Sequence, residues 1–502
     1  MKFMFVCMGY ENLSAQQLSA VLKQKGHEVD LAFDPALFDD KMYFYYPDLH
    51  KLLSDRNRVI KKIVDSKPDA IGFTVFTDNN EWACDIAKEV KKQLPDTPII
   101  FGGIYPTTCP EVVIKNDFVD IVCEGEGEES LPELLDSMQK GKIDYKIRNL
   151  WFKKDGKIIK NPQRPPVDIE KLPYYDKELF EGHVPLDRVY LTVIGRGCLF
   201  GCSFCSQNFL RKFNKGLDKR IKSVDNVMRE LKIMKEKYNY REVDFKDNIL
   251  TMNKEWVIEL LDRYKKEIGV PFRALSHVLC MDLEIAKALK GAGCHRVQFG
   301  IQSLNEETRR KHLLRTETNE EIEKALRACD EAGLEYSCDH MFGLPGETEE
   351  DQLLAANFYK TLKKCTRVTC FWTTFFPKTD LVAIARRRNA ITDKDIEEIN
   401  RAKAGYYYLE GAVKDKELKK HFRNYQMLFR LMPILPEKVV DFILRNNFHK
   451  HLYLLPQRAI LLPIDLIVSF IKKDNSAFQY MNYYSLHLNK KIKRRLGFKV
   501  DK

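Results

Sequence analysis

The chain has 502 residues, 44% of them apolar and 31% charged, and a formal net charge of +11. This composition is typical of a globular chain with two to four domains and excludes a low-complexity protein. The 13 cysteines are scattered and the first residues lack the pattern of a secretory signal, so we expect a location in the reducing cytoplasm.

The positive charge is concentrated at the end of the chain. Residues 411–502 contain 19 Lys or Arg and 7 Asp or Glu, a net charge of +12, so the first 410 residues are nearly neutral. This distribution speaks against a nucleic-acid partner for the main body. Any anionic partner is expected to meet the tail alone.

Short apolar runs alternate with amphipathic stretches over the first 140 residues. The runs predicted as strands are Lys2 to Met8, Val29 to Phe33, Ala70 to Phe76, Ile99 to Phe101 and Asp120 to Cys123. With helices between them, they indicate a doubly wound, Rossmann-like parallel sheet over residues 1–145. Ligands bind such sheets beyond the carboxyl ends of the strands. The candidate ligand-binding residues at that edge are Gly102, Gly103, Thr107, Gly125, Glu126 and Gly127.

A second alternating pattern follows a proline-rich connector, residues 146–187, which contains a predicted strand pair around Leu150 to Ile159. The predicted strands are Val189 to Ile194, Glu242 to Phe245, Phe272 to Leu275, Arg296 to Gly300, Glu335 to Met341 and Arg367 to Phe375. Six βα units predict a partial (β/α)6 barrel of the TIM type over residues 188–380. Residues 381–502 are predicted to be mainly helical, with helices at Asp393 to Leu409 and Glu437 to Asn447.

Three cysteines follow the first barrel strand on a glycine-flanked loop. Cys198, Cys202 and Cys205 are spaced C-x-x-x-C-x-x-C, and three thiolates can bind a cubane iron–sulfur cluster while leaving its fourth iron open. The alternatives are three reduced core cysteines or a zinc knuckle. Closed structural zinc needs a fourth ligand, and no Cys or His follows within twenty residues. The spacing therefore favours an open-site cluster.

Later loops of the predicted barrel extend this motif. With the three cysteines and Phe204, the runs Phe245-Lys246-Asp247-Asn248, Gln302-Ser303 and Gly343-Leu344-Pro345-Gly346-Glu347 resemble the radical S-adenosylmethionine (radical SAM) superfamily. The resemblance implies a [4Fe-4S] cluster on Cys198, Cys202 and Cys205. It also implies adenine against Phe204 and S-adenosylmethionine held with the help of Gln302, Ser303 and Gly343. Gln302 departs from the family, in which Glu is common.

The amino-terminal turns carry a second resemblance. The run from Gly102-Gly103 to Pro110-Glu111, followed by Gly125-Glu126-Gly127-Glu128, is similar to the cobalamin-binding domain of many radical SAM enzymes. Tyr105 stands where that family usually has His. A separate class of cobalamin proteins supplies a histidine below cobalt from the motif Asp-x-His-x-x-Gly. The run Asp48-Leu49-His50 resembles the start of that motif but lacks its glycine, so we interpret His50 as a solvated residue.

The two resemblances together imply a cobalamin-dependent radical SAM enzyme. Its S-adenosylmethionine is cleaved to a 5′-deoxyadenosyl radical, and methylation of an unactivated carbon is the expected outcome. Three alternatives stay open: a cobalamin-dependent oxidative cyclase, a tRNA methylthiotransferase with a second cluster on amino-terminal cysteines, and a non-enzymatic cobalamin-sensing module. The second cluster would draw on Cys7, Cys84 and Cys109 or Cys123.

The expected partners are a small-molecule substrate and a reductant such as flavodoxin or ferredoxin. Aromatic residues at 371–376 and Tyr406 to Tyr408 suit an apolar, flat or lipid-like substrate. The apolar run Ala459 to Ile471 is too short to span a bilayer. With the basic run 490–495 it suits peripheral contact with an anionic membrane, and a buried helix with a solvated basic tail is the alternative. Arg315 is interpreted either as a partner of the methionine carboxylate or as an exposed residue at a helix start.

Overall fold

The computed structural model describes residues 1–39, 45–217, 219–403, 413–474 and 476–498. Its strands form a seven-stranded sheet, a six-stranded sheet and a two-stranded ribbon. The predicted α/β architecture, with a doubly wound sheet followed by a partial barrel, is confirmed.

The amino-terminal sheet has the strand order β2-β1-β3-β4-β5-β6-β7. Its strands are β1 (Lys2–Met8), β2 (Glu28–Asp34), β3 (Ala70–Thr74), β4 (Ile99–Gly102), β5 (Ile121–Cys123), β6 (Leu150–Lys154) and β7 (Lys157–Lys160). The first five run parallel and are apolar because helices cover both faces. These helices are α1 (Leu13–Gln24), α2 (Pro47–Leu53), α3 (Arg56–Ser66), α4 (Asn80–Gln93), α5 (Ile104–Thr108), α6 (Pro110–Val113) and α7 (Ser130–Gln139).

The predicted strand pair of the connector is present, but it belongs to the amino-terminal sheet. Strand β6 pairs antiparallel with β5, and β7 pairs antiparallel with β6. Strand β5 has only three residues, and an open edge there would leave its backbone groups unpaired. The pair therefore completes the sheet, and the chain crosses to the barrel after it.

The six-stranded sheet is entirely parallel, in the order β15-β14-β13-β12-β11-β8. Its strands are β8 (Val189–Thr192), β11 (Glu242–Phe245), β12 (Phe272–Ser276), β13 (Cys294–Gln302), β14 (Tyr336–Phe342) and β15 (Cys365–Trp372), and the ribbon is β9 (Gly195–Gly197) with β10 (Lys219–Ile221). Its helices are α8 (Ser206–Phe213), α9 (Val224–Tyr238), α10 (Lys254–Glu267), α11 (Leu283–Gly291), α12 (Glu306–Lys311), α13 (Asn319–Ala332), α14 (Glu349–Tyr359) and α15 (Asp380–Arg387).

The carboxy-terminal part is mainly helical, as predicted, but the helices Lys416–Leu431 and Ser476–Arg495 were not predicted. The helices are α16 (Asp393–Asn400), α17 (Lys416–Leu431), α18 (Glu437–Arg445), α19 (Gln457–Lys472) and α20 (Ser476–Arg495). Helix α16 ends at Asn400, well before Leu409, and Tyr406 to Tyr408 lie outside the described residues. Within the described ranges, no helix has the length and apolarity needed to cross a bilayer.

The last two helices return to both halves of the molecule. Asp474 lies in the turn between α19 and α20. Its carboxylate accepts a hydrogen bond from Arg296 near the amino end of β13 and forms an ion pair with Arg367 near the amino end of β15. On α20, Tyr483 donates to the carbonyl of Gly9 and packs in the amino-terminal core, and Lys491 pairs with Asp55. The carboxy-terminal hairpin therefore connects the barrel to the amino-terminal sheet.

Candidate active site

The three-cysteine loop lies at the carboxyl end of the first barrel strand. Cys202 is buried, and Cys198 and Cys205 are partly exposed. The loop is anchored through Ser203, whose backbone N–H donates to the carbonyl of Leu313 at 2.9 Å and whose hydroxyl donates to the carbonyl of His312. The cysteines are thus held on a fixed turn beside the segment that follows β13.

These cysteines supply the donor set of an iron–sulfur cluster. Among the described residues, no three His, Cys, Asp or Glu side chains converge on one point that could hold a metal ion. A tetrahedral zinc site requires such convergence, whereas the thiolates of a cubane cluster each bind a different iron atom. Burial raises the pKa of the Cys205 thiol to about 11, so metal binding at this loop has to displace a proton.

Arg315 lies beside the cluster loop and is buried, so the prediction of an exposed side chain is wrong. Its guanidinium approaches the sulfur of Cys202 at 3.9 Å, donates to the carbonyl of Gly300 at 2.7 Å, and pairs with Glu317. His277 completes this shell, at 2.9 Å from the guanidinium and stacked on Phe200. Because the carboxylate of Glu317 compensates its charge, the Arg315 guanidinium can remain buried beside Cys202.

Phe204 lies against apolar residues from two later loops. It packs on a small cluster of Leu313, Met341 and Leu344, next to the loop that begins with Gly343. Gly343 has a φ of +80°, and the backbone N–H groups of Gly343 and Leu344 both donate to the carboxylate of Glu347. Burial raises the pKa of Glu347 to about 8 despite these bonds. The predicted residues Phe204 and Gly343 are therefore neighbours at one end of the barrel.

Gln302 and Ser303 differ in their surroundings, although they are adjacent. Gln302 follows a register shift between β13 and β14 and has a φ of +68°. Its buried Oε1 has no hydrogen-bond partner among the residues that the structure describes. The Ser303 hydroxyl instead accepts from the backbone N–H of Asn305 at 3.2 Å, and its carbonyl accepts from Arg309. An orphaned acceptor fits a ligand that donates a hydrogen bond, so Gln302 suits S-adenosylmethionine, whereas the hydroxyl of Ser303 already serves the start of α12.

One cavity of about 420 Å³ joins the two halves of the molecule. On the sheet side it is lined by Gly102, Gly103, Thr107, Gly125, Glu126 and Gly127, and on the barrel side by Gly195, Arg196, Gly197, Gln207, Arg211 and Asn248. Gly103 has a φ of +109°, and a Cβ there would lie 2.7 Å from the carbonyl oxygen of Val75. The backbone at this turn therefore requires glycine, and it leaves the cavity floor open to a large ligand.

The cavity has an apolar part inside the amino-terminal domain. Phe3, Phe5, Leu18 and Leu131 line it between the sheet and two helices. A lining that combines polar groups and glycine turns with an apolar part fits cobalamin, which combines a flat, amide-bearing macrocycle with a planar base.

Neither His50 nor Tyr105 is among the residues that line this cavity. His50 has its Nδ1 2.9 Å from the carbonyl oxygen of Leu37. Tyr105 is buried and donates to the carbonyl of Asn400 at 3.0 Å, so it connects the cofactor turn to α16. The residue at the family's histidine position thus has a partner within the protein.

The side chain of Glu126 pairs with two arginines that were not predicted and that also line the cavity. Arg196 on β9 pairs with Glu126 at 3.1 Å and also with Glu128, and Arg220 on β10 pairs with Glu126. Arg196 precedes Cys198 by two residues. The contact could not be inferred from the sequence because strand β9 and its pairing with β10 leave no periodic signal.

Two family models match the chain. The model of the radical SAM superfamily matches residues 192–358, and the model of the B12 binding domain matches residues 8–135. The first covers the cysteine loop and the four barrel strands β11 to β14, and the second covers the cavity turns of the amino-terminal sheet.

Similar proteins include an uncharacterized methyltransferase of Pyrococcus horikoshii, 30% identical over 319 residues, which are 62% of this chain and 67% of the relative. An anaerobic magnesium-protoporphyrin IX monomethyl ester cyclase of Rubrivivax gelatinosus is 26% identical over 59% of this chain and 54% of its own. The chain thus spans about half to two thirds of these relatives. The fold is similar to that of the cobalamin-dependent S-adenosylmethionine radical enzyme OxsB, with a TM-score of 0.67 at 15% identity over 100% of this chain and 82% of that one.

Proposed function

The chain belongs to the radical SAM superfamily and carries a B12-binding domain, and from this we propose that it is a cobalamin-dependent methyltransferase acting on an unactivated carbon of a small molecule. One observation carries the proposal: the cavity is lined both by the glycine turns of the amino-terminal sheet and by the ribbon that leads into the cysteine loop. A ligand bound to the turns therefore lies next to the cluster loop.

When bound, the reduced [4Fe-4S] cluster supplies the electron that cleaves S-adenosylmethionine to a 5′-deoxyadenosyl radical, and cobalamin supplies the methyl group. Cys198, Cys202 and Cys205 would hold the cluster. Arg315 would donate to the Cys202 thiolate and stabilise its negative charge. Gln302 would accept a hydrogen bond from S-adenosylmethionine, and Phe204 with its apolar neighbours would exclude water from the reacting atoms.

The test is anaerobic reconstitution with iron, sulfide and hydroxocobalamin. We expect about four irons per chain, a bound corrinoid spectrum and release of 5′-deoxyadenosine after reduction. Cys202→Ala should abolish the release of 5′-deoxyadenosine, whereas Cys84→Ala on α4 should leave the iron content and the 5′-deoxyadenosine yield unchanged. A corrinoid-free protein would overturn the amino-terminal assignment.

The same experiment separates the alternatives. About eight irons per chain, falling to about four in Cys84→Ala, would favour a methylthiotransferase. Bound corrinoid without 5′-deoxyadenosine would favour a cobalamin-sensing module. The similarity to the cyclase keeps oxidative cyclisation as the second candidate reaction. Deuterated methyl label passing from S-adenosylmethionine to the corrinoid fraction would favour methyl transfer over it.

We also propose that the small-molecule substrate is apolar or lipid-like and that flavodoxin or ferredoxin supplies the electrons.

We propose further that α19 contacts an anionic membrane. One face of α19 packs on Met427, while Ile467, Phe470 and Ile471 expose 54%, 77% and 54% of their surface. Exposed Lys473 follows directly, which suits anionic headgroups. Cosedimentation with phosphatidylglycerol vesicles should be lost in F470S/I471S and kept in Leu353→Ser on α14, whereas equal binding to phosphatidylcholine vesicles would refute the electrostatic part.

A further inference from the structure

The ribbon β9–β10 places two arginines directly opposite each other. Arg196 and Arg220 are cross-strand partners, and their side chains are only 28% and 18% exposed. Like charges opposite each other destabilise a strand pair, and partial burial strengthens that repulsion. An anion between the two guanidinium groups offsets this repulsion.

That anion comes from the amino-terminal domain. One carboxylate, that of Glu126, pairs with both guanidinium groups, and Glu128 adds a second contact to Arg196. Glu126 also accepts from the backbone N–H of Val167 at 2.8 Å, and its own carbonyl accepts from Asn149 at 2.8 Å. Glu126 is thus fixed on both sides.

Both ends of this contact reach a candidate cofactor site. On the sheet side, the N–H of Gly125 donates to the hydroxyl of Thr107 at 3.0 Å, and both residues line the cavity. On the barrel side, Gly197 immediately precedes Cys198, and its carbonyl accepts from Asn248 at 3.1 Å. A short covalent and hydrogen-bonded path therefore runs from the cavity turn to the first cluster cysteine.

We propose that Glu126 is a positioning residue that couples the cavity turn to the cluster loop through Arg196 and Arg220. This inference rests on the proposed binding of cobalamin in the cavity. A ligand in the cavity contacts the turn of Gly125 and Thr107 and restrains its motion further, and the Glu126 carboxylate passes that restraint to the two arginines. The ribbon and the cysteine loop are then held at one distance from the bound cofactor.

The test is hydrogen–deuterium exchange of the reconstituted full-length protein with and without hydroxocobalamin. In the wild type, the ligand should slow exchange in residues 102–108 and, by about fivefold or more, in the ribbon peptides near 195–199 and 219–221. In Glu126→Gln, with the corrinoid content verified by absorbance, residues 102–108 should still be protected but the ribbon should not respond. A role of Glu126 in stability alone would change ribbon exchange equally with and without the ligand.

Glu129→Gln is the matched control. Glu129 lies three residues further along and pairs with Arg164, away from the ribbon, so this variant should behave as the wild type. If Glu126→Gln does not fold, Arg220→Met removes one of the two arginines and should also silence the ribbon. Ligand-induced protection of the ribbon in Glu126→Gln or Arg220→Met would overturn this inference alone. The same holds if the wild type shows protection of residues 102–108 but none of the ribbon. No protection anywhere in the wild type would overturn the proposed function as well.

Discussion

At the scale of single residues, Gln302 allows a direct experimental test of cofactor binding. Its amide oxygen is buried without a partner in the described part of the chain, which costs about 1–3 kcal/mol in the ligand-free protein. A ligand that donates to this oxygen recovers that free energy. We interpret the strained φ of +68° as a consequence of the register shift that directs the side chain off the strand.

We therefore predict that Gln302→Leu weakens S-adenosylmethionine binding roughly tenfold, which corresponds to about 1.4 kcal/mol. Leucine has a similar size and removes the unpaired oxygen, so the melting temperature of the ligand-free protein should not fall. Equilibrium dialysis and thermal unfolding measure the two effects. Unchanged affinity with lower stability would show that Gln302 is only structural.

At the scale of elements, the turn after β4 determines the shape of the cavity. Gly103 combines a φ of +109° with a Cβ position 2.7 Å from a backbone oxygen, so any side chain forces the turn to move. Gly156, in the turn between β6 and β7, has a φ of +72° and open space around it. Gly103 and Gly156 thus share a backbone conformation that is unfavourable for other residues, but only at Gly103 would a Cβ clash with a neighbouring atom.

Gly103→Ala should therefore prevent retention of hydroxocobalamin, whereas Gly156→Ala should cost about 1 kcal/mol of stability and leave retention unchanged. Corrinoid absorbance after gel filtration measures retention. Retention by Gly103→Ala at the wild-type level would contradict the assignment of this turn to the ligand.

At the scale of the whole molecule, the carboxy-terminal hairpin joins the barrel and the amino-terminal sheet. Asp474 is 4% exposed and is the carboxylate shared by Arg296 and Arg367, which are 9% and 10% exposed. Removing one partner of a buried ion pair leaves uncompensated charge and costs about 3–5 kcal/mol.

Asp474→Ala should lower the free energy of unfolding by about that amount and make α19–α20 the first site of limited proteolysis. Asp65→Ala breaks an exposed pair with Lys61 and should have no measurable effect. Equal stability of the two variants would show that the hairpin is not held by Asp474.

Much of the fold could be predicted from local patterns. The strands of both sheets, the parallel pairing and the cysteine spacing follow from apolar runs and residue types, which are properties of short segments. Contacts between distant segments could not be predicted. The sequence leaves Arg315 open between a partner of the methionine carboxylate and an exposed residue, and it predicts Glu126 only as a cofactor-binding residue, because nothing near either in sequence reveals its partner in the fold.

The sequence by itself determined the α/β architecture and the family, since periodicity and motif spacing are local. Only the tertiary structure decided that β6 and β7 complete the first sheet, that α20 returns to it, and that one carboxylate connects the cavity turn to the cluster loop. These contacts depend on which segments approach each other when the chain buries its apolar surface, and that is a property of the whole chain.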